Sequence, residues 1–313
     1  MVFLISQPRA GSTLLQRMLA RHPRIETASE TWLLLRSLYW IRHPDEQASY
    51  GPAGATAGTR ELLGSVPDGD RIYFEAVRRF AQHLYDALLD RSGRDIYLDK
   101  TPRYGLILPE LAEAFPRAAF ILLLRNPLAV LSSMLTNWSG TKLPRLVNFR
   151  LDLLETPRNM IAMMSKPPER CVAIRYEAMV REPAAALDSI GRLLGIDTSP
   201  AMIDYGADGP ATWSLGDREV NRHARPIAEK ESAWQQRLGH PQVWRLLRDY
   251  ADTLGEEMFN QLGYDWAEQQ EILARHRPSR FRLAGTVGLD WTLHQGFPQR
   301  MIWEGWRALH SRR

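Results

Sequence analysis

The pattern of hydrophobic and polar residues changes period within the first part of the chain. Residues 2–6 (VFLIS) form an uninterrupted apolar run, which predicts a buried β-strand. The loop QPRAGST follows, and the next residues carry leucine and methionine at the spacing of a helix. A strand, a glycine-containing loop and a helix therefore follow one another before His22-Pro23.

The same alternation continues further along the chain. Apolar runs predict strands at residues 96–98, 118–124 and 171–176. Helical periodicity predicts helices at residues 31–41, 72–90, 106–115, 127–134 and 182–194. Residues 51–70 are rich in glycine, alanine and proline, and we interpret them as a flexible loop or lid. Strands that alternate with helices indicate an α/β fold with a parallel sheet.

The composition is that of an ordinary globular protein, with 313 residues, 44% hydrophobic and 24% charged. The single cysteine, Cys171, excludes an internal disulfide and a cysteine-based zinc site. No apolar run reaches the roughly 20 residues of a membrane helix. The N-terminus has no basic segment of a signal peptide, so we expect a cytoplasmic location.

The 40 cationic and 36 anionic side chains are unevenly distributed. Residues 267–313 hold eight arginines and four acidic residues, whereas the charges of residues 1–266 balance. We therefore divide the chain into residues 1–266 and a basic, tryptophan-rich C-terminal extension. The extension is interpreted as a packed segment or dimer contact. The alternative is peripheral contact with the inner face of a membrane, through an amphipathic helix at residues 301–309. Nucleic-acid binding is not expected, because no reader motif accompanies the charge.

The glycine loop after the first strand is a candidate anion-binding site, because backbone N–H groups converge at the start of a helix. Gly11 would let an anion approach the backbone closely. Arg9 would add positive charge, and Ser12 and Thr13 would add hydroxyl groups. A nucleoside triphosphatase would carry lysine in place of Ser12, which argues against triphosphate hydrolysis. The alternative is a tight turn capped by Ser12 or Thr13.

A second candidate anion site follows the strand at residues 118–124. Arg125 stands at its carboxyl end, where open parallel sheets bind ligands. Ser133 follows eight residues later on the next predicted helix. The pair could bind another anionic group. The alternative is that Arg125 only ends a strand and Ser133 is an ordinary helix residue.

Three segments in this order, PRAGSTLL, DKTPRY and LLLRNPLAVLSSM, resemble the sulfotransferases that use 3′-phosphoadenosine 5′-phosphosulfate (PAPS). The segments RYEAMVREP at 175–183 and LGYDW at 262–266 also fit, so the resemblance covers residues 1–266. It is greatest to the branch with tyrosylprotein sulfotransferases and many bacterial enzymes. The resemblance implies a P-loop NTPase-like parallel sheet flanked by helices, and a sulfotransferase domain over residues 1–266.

The resemblance also implies roles for individual residues. The 5′-phosphosulfate would be held by Arg9, Ala10, Gly11, Ser12 and Thr13. The 3′-phosphate would be bound by Arg125 and Ser133. Tyr176 would lie near the nucleotide, and Arg225 would contact it from a loop at residues 218–226 that closes over it.

The implied reaction needs a base for the acceptor hydroxyl and positive charge for the leaving phosphate. We assign the base to Glu30, and the positive charge to Lys100 and Arg9. No metal is required, since protein cations supply this charge. Glu30 could instead cap the helix at 31–41, and Lys100 could form a surface salt bridge with Asp99. Histidines are alternative bases, and the candidates are His22, His43 and His223.

Two residues depart from the tyrosylprotein branch. Trp32 stands where that branch carries an arginine that helps position its peptide, which argues against a tyrosine-peptide acceptor. Asn137 stands where that branch carries a further cation after the 3′-phosphate serine, so we expect the contacts to the nucleotide to be distributed differently. We expect a hydroxyl on a carbohydrate or small metabolite. Rival functions are a P-loop kinase using ATP, which the missing loop lysine disfavours, and a nucleotide-binding module without catalysis. The sequence leaves open the acceptor's identity and the oligomeric state.

Overall fold

The computed structural model describes residues 1–41, 52–139, 146, 148–206, 213, 215–283, 286 and 288. Within these residues one sheet is formed by β1 Val2–Ser6, β2 Ile25–Thr27, β3 Ile96–Asp99, β4 Ala119–Leu124 and β5 Cys171–Arg175. The order across the sheet is β2-β3-β1-β4-β5, and each neighbouring pair is parallel. The predicted α/β fold with a parallel sheet is confirmed.

Helices cover both faces of this sheet. The first half of the chain contains α1 Ser12–Ala20, α2 Leu33–Tyr39, α3 Pro52–Gly64, α4 Gly69–Ser92, α5 Leu108–Ala114 and α6 Pro127–Met134. The second half contains α7 Arg150–Ser165, α8 Tyr176–Arg181, α9 Pro183–Leu194, α10 Pro241–Gln261, α11 Trp266–Arg275 and α12 Arg280–Leu283. Short 3₁₀ helices lie at Pro102–Ile107, Pro200–Ile203, Arg218–Arg222, Ala228–Glu231 and Gln235–Gly239. A π-helical turn, Leu135–Ser139, follows α6.

The central strand β1 is apolar at successive positions because both of its faces are covered. Phe3 and Ile5 pack into the larger of the two hydrophobic cores. Val2 and Leu4 point the other way, into the core formed with α1 and α9. Alternate side chains of a strand point to opposite faces, so a strand between two cores needs apolar residues throughout.

Parts of the secondary structure differ from the expectation, and helices α7, α10 and α11 were not predicted. The prediction of a flexible loop at residues 51–70 is wrong, because Pro52–Gly64 forms α3. Alanine, leucine, arginine and glutamate in this segment favour a helix, and proline is tolerated in its first turn. Strand β2 has only three residues, IET, which is too short for periodicity to reveal. Gly195 ends α9 in the left-handed conformation, as expected.

The C-terminal part of the described chain packs against the larger core. Ile272 and Leu273 of α11 are buried there, and the Trp244 indole N–H donates a hydrogen bond to the Leu273 carbonyl at 2.8 Å. The division at residue 266 therefore stays a prediction, and the expected helix at 301–309 lies outside the described residues. In the part of the chain that the structure describes, no helix is long and apolar enough to cross a membrane.

The parallel arrangement brings the carboxyl ends of four strands to one edge of the sheet. β1 leads into the glycine loop, and β3 leads into Lys100. β4 leads into Arg125, and β5 leads into Tyr176. Because β3, β1, β4 and β5 are neighbours in the sheet, the segments that follow them meet at this edge.

Candidate active site

The glycine loop adopts a backbone that only a few residue types accept. Gly11 has a φ of +95° and precedes α1 as its N-cap. A Cβ at this position would lie 2.5 Å from the Tyr176 ring, so the close approach of loop and ring requires glycine. Arg9 is also left-handed, with a φ of +69°. No side chain caps α1, so the proposed turn capped by Ser12 or Thr13 is wrong, and the first N–H groups of α1 face the loop.

The two predicted anion sites adjoin each other and are linked through Arg9. The Arg9 Nε donates a hydrogen bond to Ser133 Oγ at 3.2 Å. One Nη of Arg125 donates to the Arg9 carbonyl at 2.8 Å. The Arg125 guanidinium carbon lies 4.1 Å from the centroid of the Tyr176 ring, a cation–π contact. The structure thus brings together Arg9, Arg125, Ser133 and Tyr176, residues distant in sequence.

These residues line a cavity of about 370 Å³, which we call the first cavity. Two further cations of this cavity, Lys230 and Arg237, were missed in the sequence. Lys230 Nζ lies 2.7 Å from His223 Nε2, and Arg237 donates a hydrogen bond to the Ser132 carbonyl at 2.7 Å. Both come from the short 3₁₀ segments before α10, which carry no motif and no helical period. The scarcity of lysine in this arginine-rich chain was a signal for Lys230, whereas the sequence pattern did not mark Arg237.

A second cavity, of about 480 Å³, opens on the other side of the glycine loop. It shares Arg9, Gly11 and Asp217 with the first cavity. Its other walls include Glu30 and Trp32. The two cavities therefore meet at the glycine loop, so molecules bound in each would face one another there.

Glu30 and Lys100 form an ion pair beside this junction, with 2.8 Å between Oε1 and Nζ. The Lys100 side chain is 1% exposed and that of Glu30 is 13% exposed. Burial lowers the pKa of Lys100, and the negative charge of Glu30 opposes this shift. Lys100 Nζ also lies 3.5 Å from Thr13 Oγ1, which connects the pair to the glycine loop.

The structural alternatives for these two residues are not supported. Lys100 is buried and pairs with Glu30, so a surface salt bridge with Asp99 is wrong. The N-cap of α2 is Trp32, so Glu30 does not cap that helix.

Asp217 is an acidic residue that sequence reasoning missed. Its carboxylate forms an ion pair with Arg9, with 3.0 Å between Oδ2 and the guanidinium nitrogen. Its backbone N–H donates to Thr13 Oγ1 at 3.1 Å. It lies in an irregular segment directly before a short 3₁₀ helix, without any recognisable sequence pattern.

The remaining predicted residues occupy different surroundings. Arg225 lies at the wall of the first cavity and forms an exposed ion pair with Asp204. His223 lines the same cavity. His22 is buried after α1 and its Nε2 contacts the Asp197 carbonyl at 3.1 Å, outside both cavities. His43 lies outside the described residues.

A buried carboxylate supports the wall of the second cavity. Asp152 is 1% exposed and accepts a hydrogen bond from Arg103 at 3.0 Å. The Arg103 guanidinium lies 5.8 Å from the Trp32 ring centroid, so Asp152 holds Arg103 against the tryptophan. Burial raises the pKa of Asp152 to about 6, and the charge of Arg103 opposes the rise.

The comparison with known proteins decides the family. A model described as "Sulfotransferase family" matches residues 2–200. The chain belongs to this sulfotransferase family. The resemblance seen in the sequence is confirmed at this level.

Individual relatives of this sulfotransferase differ in their names. "Nodulation protein NoeE" of Sinorhizobium fredii is 28% identical over 94% of this chain and 74% of that protein. "Protein-tyrosine sulfotransferase 1" of Danio rerio is 26% identical over 75% of this chain and 65% of that protein. The solved "Sulfotransferase Domain from the Curacin Biosynthetic Pathway" covers 85% of this chain and 98% of its own, with a TM-score of 0.57 and 20% identity. That likeness confirms the predicted P-loop NTPase-like fold.

The raised pKa of Asp152 predicts a pH dependence of stability. Between about pH 4 and pH 6 the unfolded chain loses the proton of this carboxyl while the folded chain retains it. The contribution of Asp152 to the free energy of unfolding should therefore fall as pH rises through this range. Between pH 4 and pH 6 the free energy of unfolding of the wild-type protein should fall by about 2–3 kcal/mol relative to that of Asp152→Asn. Urea unfolding at several pH values measures this difference.

Asp95→Asn provides the control for this measurement. The hydrogen bond from Arg24 lowers the pKa of Asp95, so its contribution is lost only as pH falls further. The difference between wild type and Asp95→Asn should not decline between pH 4 and pH 6. A flat difference for Asp152→Asn would show that its carboxyl titrates normally.

Proposed function

We propose that this sulfotransferase moves a sulfuryl group from PAPS to a hydroxyl of a carbohydrate or other small metabolite. The observation that carries the proposal is the junction of two cavities at one glycine loop, with Glu30 and Lys100 beside it. A donor in the first cavity and an acceptor in the second would meet where a carboxylate and two cations converge.

The donor assignment rests on the positive charge around the first cavity. Arg9, Ala10, Gly11, Ser12 and Thr13 would hold the 5′-phosphosulfate at the N-terminus of α1. Arg125 and Ser133 would bind the 3′-phosphate, with Tyr176 packed between loop and guanidinium. Charge from Lys230 and Arg237 supports a ligand with two separated anionic groups. Arg225 stays a candidate contact at the cavity wall.

The ion pair suggests how proton removal and charge stabilisation are coupled. Glu30 would accept the proton of the acceptor hydroxyl as that oxygen attacks sulfur and the bond to the phosphate oxygen breaks. Once protonated, Glu30 would no longer neutralise the positive charge of Lys100. The Lys100 ammonium and the Arg9 guanidinium would then stabilise the negative charge on the leaving phosphate. His223, in the first cavity, remains the alternative base.

The second cavity supports the choice of acceptor class. Trp32, Phe149 and Leu215 give it apolar walls, which suits a ring with hydroxyl groups on its edge. Its two carboxylates are those of Glu30 and Asp217. A third cavity, of about 580 Å³, continues past Trp32 and Arg103 and leaves room for an acceptor larger than one ring. The relative named as a protein-tyrosine sulfotransferase makes a tyrosine peptide the acceptor to compare with a carbohydrate.

The donor is tested by calorimetry with adenosine 3′,5′-bisphosphate and with ATP. We expect the bisphosphate to bind and ATP to bind more weakly. Arg125→Gln removes a charged hydrogen-bond donor and should weaken bisphosphate binding by about 10–100-fold. Arg79→Gln, on the exposed face of α4, is the matched control. Stronger binding of ATP would favour the kinase alternative.

The base is tested by Glu30→Gln in an assay of labelled sulfate transfer to a panel of glycosides, phenols and tyrosine peptides. Loss of general-base catalysis should lower kcat by about 10²–10⁴-fold. Affinity for adenosine 3′,5′-bisphosphate should be retained, because Glu30 lies outside the first cavity. Glu26→Gln, which removes a carboxylate near Arg94, is the control. Undiminished turnover in Glu30→Gln would remove this residue from the mechanism.

A further inference from the structure

Two consecutive side chains beside the active site bind two consecutive side chains at the carboxyl end of β3. Glu30 pairs with Lys100 at 2.8 Å. The next residue, Thr31, has its Oγ1 at 3.0 Å from both carboxylate oxygens of Asp99. Asp99 ends β3, so its side chain and that of Lys100 leave the backbone on opposite sides. Together the two pairs determine the register of Glu30 against Lys100.

Asp99 is a fixed partner for Thr31 because other hydroxyl groups hold it. It is completely buried, and the Tyr85 hydroxyl donates to its Oδ2 at 2.6 Å. The Tyr104 hydroxyl lies 3.2 Å from the same oxygen and 2.9 Å from Thr31 Oγ1. Burial raises the pKa of Asp99 to about 6, while these hydrogen bonds and the charge of Lys100 oppose the rise.

The backbone after Thr31 has an unfavourable conformation that hydrogen bonds to neighbouring side chains stabilise. Trp32 has a φ of +55°, which is unfavourable for a residue other than glycine. Its N–H donates to Thr101 Oγ1 at 3.2 Å, and the N–H of Leu34 donates to the Tyr104 hydroxyl at 3.1 Å. Loss of one anchor would let the strained segment relax and carry the neighbouring carboxylate with it.

We propose that Thr31 and Asp99 are positioning residues, which act through Glu30 by holding its carboxylate at Lys100 and at the mouth of the second cavity. The inference rests on the proposed function of Glu30. It adds that the geometry of the base depends on a buried hydroxyl–carboxylate contact that does not touch substrate.

The test compares Thr31→Val, which keeps the shape but lacks the hydroxyl, with Thr31→Ser, which keeps the hydroxyl. A displaced base lowers turnover without affecting the donor site, so we expect kcat of Thr31→Val to fall about 10–100-fold. Affinity for adenosine 3′,5′-bisphosphate should stay near wild type. Tm should fall, because the buried Asp99 loses one of its hydrogen-bond donors. Thr31→Ser should restore turnover. Wild-type turnover in Thr31→Val, or an equal loss in both variants, would overturn the inference.

Crystal structures and a second variant distinguish a displaced base from a misfolded protein. Crystal structures of both variants should show the Glu30–Lys100 pair broken in Thr31→Val and retained in Thr31→Ser; an intact pair in Thr31→Val overturns the proposal without needing an acceptor. If Thr31→Val does not fold, Tyr104→Phe, which removes the hydroxyl next to Thr31 and Asp99, should lower turnover instead. Full turnover in Glu30→Gln would contradict the proposed base, whereas full turnover in Thr31→Val alone would contradict only this inference.

The segment at residues 215–217 packs against the glycine loop. Asp217 contacts both Arg9 and Thr13, as described above. Its Oδ1 accepts a hydrogen bond from the N–H of Glu219 at 3.1 Å, so the carboxylate is held at the start of a 3₁₀ helix. The N–H and carbonyl of Leu215 both bind the Ser29 hydroxyl, at 2.9 and 3.2 Å.

We infer that Asp217 is an internal competitor for the donor. An anionic donor group at Arg9 would meet the negative charge of Asp217, which lies 3.0 Å from the same guanidinium, so the two anions compete for Arg9. This inference also rests on the proposed donor site. The measured affinity for the donor is then reduced by the interaction between Asp217 and Arg9, which the donor has to overcome.

Calorimetry with adenosine 3′,5′-bisphosphate tests this competition in Asp217→Asn. The variant should bind about 5–20-fold more tightly than wild type, because it lacks the competing charge. Glu219→Gln removes a carboxylate from the same cavity without contacting Arg9, and its effect should be smaller. Equal or weaker binding in Asp217→Asn overturns the inference. Absence of binding in both proteins would contradict the proposed donor site instead.

Discussion

A buried ammonium group needs an anion beside it, and this constraint organises the centre of the molecule. Lys100 is almost completely removed from water, so its charge is costly unless a carboxylate compensates it. Glu30 supplies that carboxylate from the segment after β2, on the far side of β3 from the glycine loop. The pair joins two segments at one edge of the sheet.

The other cations of the site are balanced by neighbours of the same chain. Arg9 is held between Ser133 and Asp217, and Arg125 between the Arg9 carbonyl and the Tyr176 ring. Side chains held in this way need little reorganisation when an anion replaces their internal partners. The positive edge of the sheet is therefore compatible with a stable protein in the absence of ligand.

Local motifs were the part of the site that could be read from the sequence. Arg9 and Gly11 lie in one short loop, and Arg125 directly follows an apolar strand, so spacing and residue type sufficed to propose them. Lys230, Arg237 and Asp217 could not be found in this way. They come from irregular segments without periodicity, and only the packing of those segments over the sheet edge places them near the loop. The expectation of a loop at residues 51–70 was wrong because it gave more weight to the glycine content than to the helix-forming residues of the same segment.

The sequence by itself determined the parallel α/β architecture, because uninterrupted apolar strands that alternate with amphipathic helices need a sheet covered on both faces. It also determined which loops could bind anions, because glycine, arginine and hydroxyl residues occur there in one short stretch. Only the tertiary structure decided which charges are paired. The charged partners Glu30 and Lys100, and Arg9 and Asp217, are far apart along the chain. The strand order β2-β3-β1-β4-β5 brings the first pair together. The second pair forms because the irregular segment that contains Asp217 packs over the sheet edge.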